Sequence, residues 1–297
     1  VFRRRKTWRA TADPELIRTL VEGYEAFDAE DWPRAGDLLA AVAPRMDGRD
    51  AKAGWFDAAL AYKFARNWPR AYEVGKQAVT HVRRGTEEPA YWNLGIAATM
   101  LRDWDTARDA WIGYGLAPFP GTGQIDADLG PACIRLDIGE VVWAIRICPT
   151  RARLISVPFD PTRRFGETVL HDGVPKGQRI LESGTFPVFE EMAVFEPSDV
   201  GTLSVLVTGE TPGDIRALQQ AFASRRLGVE ILRSRVDLCA CCSRAGIRQE
   251  VKEFAGEQML YLGAPEDVAR HLLHSWAEQR PEARSWANLH LARTAEG

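Results

Sequence analysis

Between residues 14 and 118 the apolar positions recur at helical spacing, and the pattern itself repeats. Trp32, Trp68 and Trp104 stand 36 residues apart, each preceded by Asp or Asn and followed three residues later by Ala35, Ala71 or Ala107. Small residues at Gly23, Ala59 and Gly95 keep the same interval upstream, and Leu39, Gly75 and Trp111 keep it downstream. One helical hairpin cannot bury its apolar face alone, so a period of this size predicts stacked hairpins. Asp31, Asn67 and Asp103 precede the second helices as N-caps, and Pro33 and Pro69 fall in the first turn, where a missing N–H costs nothing.

The pattern changes after Pro118. Residues 119–139 open on a stretch rich in Gly, Pro and Asp and read as a linker. From Glu140 the alternation is strand-like, over Val141–Ile147, Ala152–Phe159, Glu167–Leu170, Gly177–Leu181 and Phe186–Phe195. These short strands predict a small β-rich domain over 140–198, a barrel or a curled sheet. In 199–297 the order is strand (Leu203–Val207), helix (Pro212–Arg226), strand (Val229–Val236), then strand (Gln258–Leu262), helix (Pro265–Gln279), strand (Ser285–Leu291). Strand, helix, strand, twice over, is the order of a ferredoxin-like sandwich. The expected class is thus a multidomain α+β protein.

The third repeat unit, Tyr91, Leu94, Gly95, Ala98, Trp104, Ala107 and Trp111, resembles the tetratricopeptide repeat, as does the second, Trp55, Ala58, Ala59, Tyr62, Trp68, Ala71 and Ala78. The first, Leu20, Gly23, Phe27, Trp32, Ala35 and Leu39, matches more loosely, and residues 14–118 are all that the resemblance covers. It implies that small residues let paired helices approach while the Trp column fills the wedge between them. It also implies a concave face, made by the first helix of each hairpin, on which a partner binds. That face would carry Leu20, Tyr24 and Phe27, then Phe56, Leu60, Lys63 and Phe64, then Trp92, Ile96, Thr99 and Met100, a strongly apolar groove in which Tyr24, Phe56, Leu60, Phe64, Trp92, Ile96 and Met100 are the expected partner-binding residues. Uncovered it would be a liability, so either a partner inserts a hydrophobic segment or the chain's own downstream part fills it. The family variant that clamps a peptide carboxylate needs Lys, Arg and Asn there, whereas this chain offers Leu20, Tyr24, Asp57 and Pro89, with Asn93 alone in kind. A chaperone-tail receptor is therefore not expected.

A net charge of -3 argues against global capture of nucleic acid. Arg3, Arg4, Arg5, Lys6 and Arg9 form a basic arm over residues 1–13, read as a solvated tail. The RNA-binding version of the C-terminal fold needs several stacking aromatics on its third strand, and Gln258–Gly263 offers Tyr261 alone. No stretch has the length of a membrane span or the apolar core of a signal peptide, and five cysteines suit a reducing compartment, so a soluble, cytoplasmic protein is expected.

Candidate chemistry is thin. Cys239 and Cys242 have the gap that lets two thiolates reach one zinc, yet no second Cys pair exists, and His271 and His274 lie on the polar side of a helix some thirty residues on. His171–Asp172 reads as turn chemistry, Glu190–Glu191 point to opposite faces of a strand, and Gly121–Thr122–Gly123 is too short for a phosphate loop. The expectation is a non-enzymatic protein-binding scaffold without cofactor or metal, an adaptor or an immunity protein that neutralises a toxin. The competing expectation is a metal or metabolite sensor built on the Cys239–Cys242 loop, and a third is an enzyme using His171 and Asp172.

Overall fold

The computed structural model describes residues 13–137, 139–231 and 253–292. The chain forms two compact units, divided between Ile125 and Asp126. No helix among the described residues is long and apolar enough to cross a membrane.

The described residues of the first unit form six α-helices, α1 (Pro14–Asp28), α2 (Trp32–Val42), α3 (Gly48–Phe64), α4 (Trp68–Thr80), α5 (Pro89–Met100) and α6 (Trp104–Tyr114), with a 3-10 turn at Ala43–Arg45. Each packs against the next in tandem, and α3 also meets α5, as a helical repeat requires. The 36-residue period is written into the backbone. Glu30, Arg66 and Arg102 take φ of 59°, 55° and 59°, and behind each an amide bonds back to the helix, Asp31 N to Ala26 O, Asn67 N to Tyr62 O and Asp103 N to Ala98 O. These are Schellman-type ends with a side-chain-bearing residue in the left-handed position. The caps appear as predicted, with Asp31, Asn67 and Asp103 accepting from Arg34 N, Arg70 N and Thr106 N. Each contributes about 1 kcal/mol to its helix.

The tryptophan column differs from the expectation. Trp32, Trp68 and Trp104 are half-buried at the first position of α2, α4 and α6, and the fully buried large aromatics are Trp111 and Tyr62 instead. The reason lies in the small column. A Cβ on Gly95 would stand 2.3 Å from the Trp111 ring, so that glycine makes the seat in which the indole is buried.

The second unit begins with β1 (Pro131–Arg135), β2 (Val141–Cys148), β3 (Arg151–Leu154), β4 (Thr168–His171), β5 (Gly177–Leu181) and β6 (Gly184–Glu196). Strand order β1-β2-β3-β4-β6 closes through a parallel β1–β6 pairing, giving a five-stranded barrel with β5 added to the outside of β6. Strand β1 lies inside the stretch read as a linker. Its partners are Val141–Ile145 on one side and Val188–Glu190 on the other, and the second pairing is not visible in local sequence. Ala132, Ile134, Val142, Ala144, Ala152, Leu154, Val169 and Phe189 fill the interior.

The remainder is β7 (Thr202–Gly209), α7 (Pro212–Ala223), β8 (Gly228–Ile231), β9 (Gly256–Gly263), α8 (Glu266–Glu278) and β10 (Arg284–Leu291). The strands form one antiparallel sheet in the order β10-β7-β9-β8. Leu203, Val205, Val207, Leu260 and Leu262 face Ile215, Leu218, Phe222, Leu273 and Trp276 of the two helices in one apolar core. Burial of this alternating set selects the register, because a slip of one residue would turn every one of them outward. On the opposite face the barrel's 155–166 loop comes close: a Cβ on Gly263 would lie 2.5 Å from Phe165.

Asp214, in the first turn of α7, ties this second layer together. Its carboxylate accepts from Thr211 N (2.9 Å), Thr211 Oγ1 (2.8 Å), Arg280 Nη1 (2.9 Å) and Arg284 Nε (2.8 Å), while its carbonyl accepts from Trp276 Nε1 (2.8 Å).

Candidate functional site

The seven residues expected to bind a partner lie on the first helices: Tyr24 on α1, Phe56, Leu60 and Phe64 on α3, and Trp92, Ile96 and Met100 on α5. Spacings of four along α3 and α5 place them on one face of each helix. Phe64 is 43% exposed, and its ring centroid stands 4.8 Å from that of Trp32. Tyr24, Phe56, Leu60, Trp92 and Met100 are half-buried, whereas Ile96 has no exposed surface and belongs to the interior. Trp92 is wedged against Trp111 and Tyr114, at centroid distances of 5.1 and 4.9 Å.

Polar side chains on this face are paired with one another. The Tyr24 hydroxyl donates to Asp57 Oδ2 (2.9 Å), and the Lys63 ammonium, only 4% exposed, donates to Asn93 Oδ1 (2.9 Å). Asn93, the one residue shared with the carboxylate-clamping variant, therefore already holds a lysine from the neighbouring hairpin.

Other residues singled out from the sequence are placed as follows. His171 ends β4 inside the barrel, fully buried, its ring 4.5 Å from Phe189 and its Nδ1 donating to the Asp172 carbonyl (2.8 Å). Burial first, and then the nearby Arg146 charge, push its pKa down to about 4, against the pull of the Asp172 carbonyl. The imidazole is thus neutral at pH 7. Glu190 and Glu191 do separate, Glu190 to Arg135 (3.1 Å) and Glu191 to Arg163 (2.7 Å), so the two carboxylates share no site. Arg163 also bonds Glu167 (2.7 Å), and burial raises the Glu191 carboxyl above its ordinary pKa despite that arginine.

Gly121, Thr122 and Gly123 are exposed, and the Gly123 carbonyl accepts from Arg108 Nη1 (2.6 Å). His271 and His274 are exposed on α8, and His274 Nε2 lies 3.1 Å from Glu278 Oε1. The basic arm and the Cys239–Cys242 loop lie outside the described residues. Among the described residues no group of three or more His, Cys, Asp or Glu could hold a metal ion.

One contact with chemical character was invisible in the sequence. Ser204 on β7 and His290 on β10 are 86 residues apart, and the strand pairing sets them side by side, Ser204 Oγ 2.9 Å from His290 Nε2. Two alternating strand patterns identify both positions but not their pairing, so nothing in the linear text links them.

No family model matches the chain, and no curated protein matches it.

Proposed function

We propose that this protein is a protein-binding scaffold in which a tetratricopeptide-type helical array takes a partner's apolar side chains on the face of α1, α3 and α5. The observation that carries the reading is Phe64, a large aromatic ring left 43% exposed beside Trp32 and in the same row as half-buried Phe56 and Leu60. An aromatic anchor of that kind is what a partner buries to gain affinity at low ordering cost. The second unit, with strand order β10-β7-β9-β8, is read as a barrel followed by a ferredoxin-like domain. That fold hosts many roles and assigns none by itself. An immunity protein bound to a toxin, or a cytoplasmic adaptor, fits the scaffold.

The test uses Phe64→Glu, chosen because an exposed ring can be replaced without a cavity. Affinity capture from an extract of the source cells is compared between wild type and variant, both checked by thermal melting. One stoichiometric protein retained by wild type and lost by the variant is the expected result. An identical retained set for both chains refutes the assignment of this face. Because affinity here comes from burial, the complex is also expected to survive a change from low to high salt.

A further inference from the structure

We propose that Ser204 and His290 are a nucleophile and its general base at the β10 edge of the second sheet, on the face away from its helices, able to take an acyl group from a carboxylic ester. This activity is separate from the binding role of the helical array.

Three observations bear on it. The first is the order of the hydrogen bonds. His290 Nδ1 lies 2.7 Å from the Asn288 carbonyl oxygen, and Ser204 Oγ lies 2.9 Å from Nε2. A carbonyl only accepts, so Nδ1 carries the proton of the neutral ring, and Nε2 presents its lone pair to the serine hydroxyl. Nucleophile, base and an acceptor that orients the base, in that sequence, is the arrangement that activates a serine. Here a backbone carbonyl stands where a carboxylate often does.

The second is the backbone that aims the histidine. The β10–β7 register shifts between Ala287 and His290, and Asn288 within the shift has φ of 57°. A bulge of this type turns a side chain to a new direction, and Asn is a residue that accepts the left-handed conformation the bulge needs.

The third is what surrounds the pair. Ser204 pairs with Tyr261, and Tyr261 with Glu230, so His290, Ser204, Tyr261 and Glu230 form a row across all four strands. Leu203, Val205, Leu260 and Leu262 pack under the helices, which puts the row on the other face by strand alternation. Ser204 is 6% exposed and His290 is exposed, so approach is from the β10 side. Leu206 and Met259, paired in an adjacent row, give an apolar surface for the acyl chain, and the Tyr261 ring beyond Ser204 stands 5.6 Å from that of Phe159, which bounds the site on the side away from β10.

In the reaction, Ser204 Oγ bonds to the acyl carbon as its proton passes to His290 Nε2 and the carbonyl pair moves onto oxygen. That pair then re-forms the carbonyl, the bond to the alcohol breaks, and the alcohol leaves with the proton from His290. Water completes the cycle by giving its proton to His290, bonding to the acyl carbon and releasing Ser204 Oγ, which regains the proton.

The test is reaction of the full native chain with a fluorophosphonate, in which an Oγ–P bond forms as the hydroxyl proton passes to His290, the P–F bond breaks and fluoride leaves. Intact mass and peptide mapping should show one adduct, on Ser204, lost after heat denaturation and absent from Ser204→Ala. His290→Asn should label about 100-fold more slowly, the usual cost of removing a general base. The same two variants should lose hydrolysis of p-nitrophenyl butyrate. Absence of an adduct on the native wild type, an adduct mapped to another residue, or undiminished labelling of a folded His290→Asn chain overturns the proposal. The wild-type mapping needs no variant, so a variant that fails to fold leaves the outcome decisive.

Discussion

Replacing Asp214 tests how the second layer is held together. Its side chain is 1% exposed and takes four hydrogen bonds, two from Thr211 at the start of α7 and two from Arg280 and Arg284. Asp214→Ala leaves Arg284, itself only 9% exposed, without its carboxylate, and strips the α7 N-terminus of its acceptor. Breaking a buried ion pair from one side costs about 3–5 kcal/mol. Against a total stability of about 5–15 kcal/mol that is a large fraction. For a unit of this size it corresponds to roughly 6–20 °C in melting temperature. Urea unfolding followed by tryptophan fluorescence reads the change, since Trp276 donates to the Asp214 carbonyl.

The pH dependence supplies a second, independent readout on Asp214→Asn, which keeps the shape. The Arg284 hydrogen bond above all, helped by Thr211 and Arg280, holds the Asp214 carboxyl well below the ordinary carboxylate range. A lowered folded-state value means that the unfolded chain binds the proton first as acid is added. The stabilisation is therefore full above the unfolded pKa of about 4 and is lost as pH falls below it. The wild-type advantage over Asp214→Asn should be constant from neutral pH to about pH 5 and shrink below that. A cost under about 1 kcal/mol for Asp214→Ala, or an advantage over the Asn variant undiminished at low pH, would refute the network's role.

Three further outcomes are expected. His171, with a pKa lowered from 6.5 to about 4, must be neutral in the folded barrel, so stability should fall as pH drops through that window, by up to roughly 3 kcal/mol, and His171→Gln should flatten the slope in pH-dependent urea melts. Gly95→Ala should destabilise by about 1–3 kcal/mol although alanine is the better helix former, because its Cβ would meet Trp111 at 2.3 Å; a stabilised variant in thermal melts would contradict the packing described. Arg66→Gly should stabilise the array by up to about 1 kcal/mol by relieving its left-handed turn at φ of 55°, and a lowered urea midpoint would show that the arginine side chain contributes more than the strain costs.

What was legible in the sequence is what neighbouring residues decide among themselves. The caps at Asp31, Asn67 and Asp103 and the helices they start are fixed within a few residues, and they appear where the period put them. The same holds for β7, α7, β9 and α8, whose alternation and helical spacing are strong. Contacts between distant segments were not legible. Strand β1 is not legible locally because its parallel pairing with β6 spans the sequence from Cys133 to Val188, and Ile96 has the spacing of a groove residue although it is fully buried. The Lys63–Asn93 and Tyr24–Asp57 bonds join hairpins about one period apart, so they too emerge only from the stacking of the repeats. Ser204 and His290 follow the same rule: each is an ordinary polar position on its strand until β10 is laid against β7.

Strand β6 has thirteen residues and serves three partners in turn: β5 along Gly184–Val188, β1 along Val188–Glu190 and β4 along Glu191–Glu196. A chain made from its N-terminus has β1 to β4 in hand before this strand exists, and until then both margins of that four-stranded ribbon are bare. Closure waits for a single segment that must arrive in register with three others at once, and pairings of such long range are slow to form. The barrel's period of greatest vulnerability to intermolecular pairing is therefore the interval in which residues up to about 184 have emerged and the last strand has not.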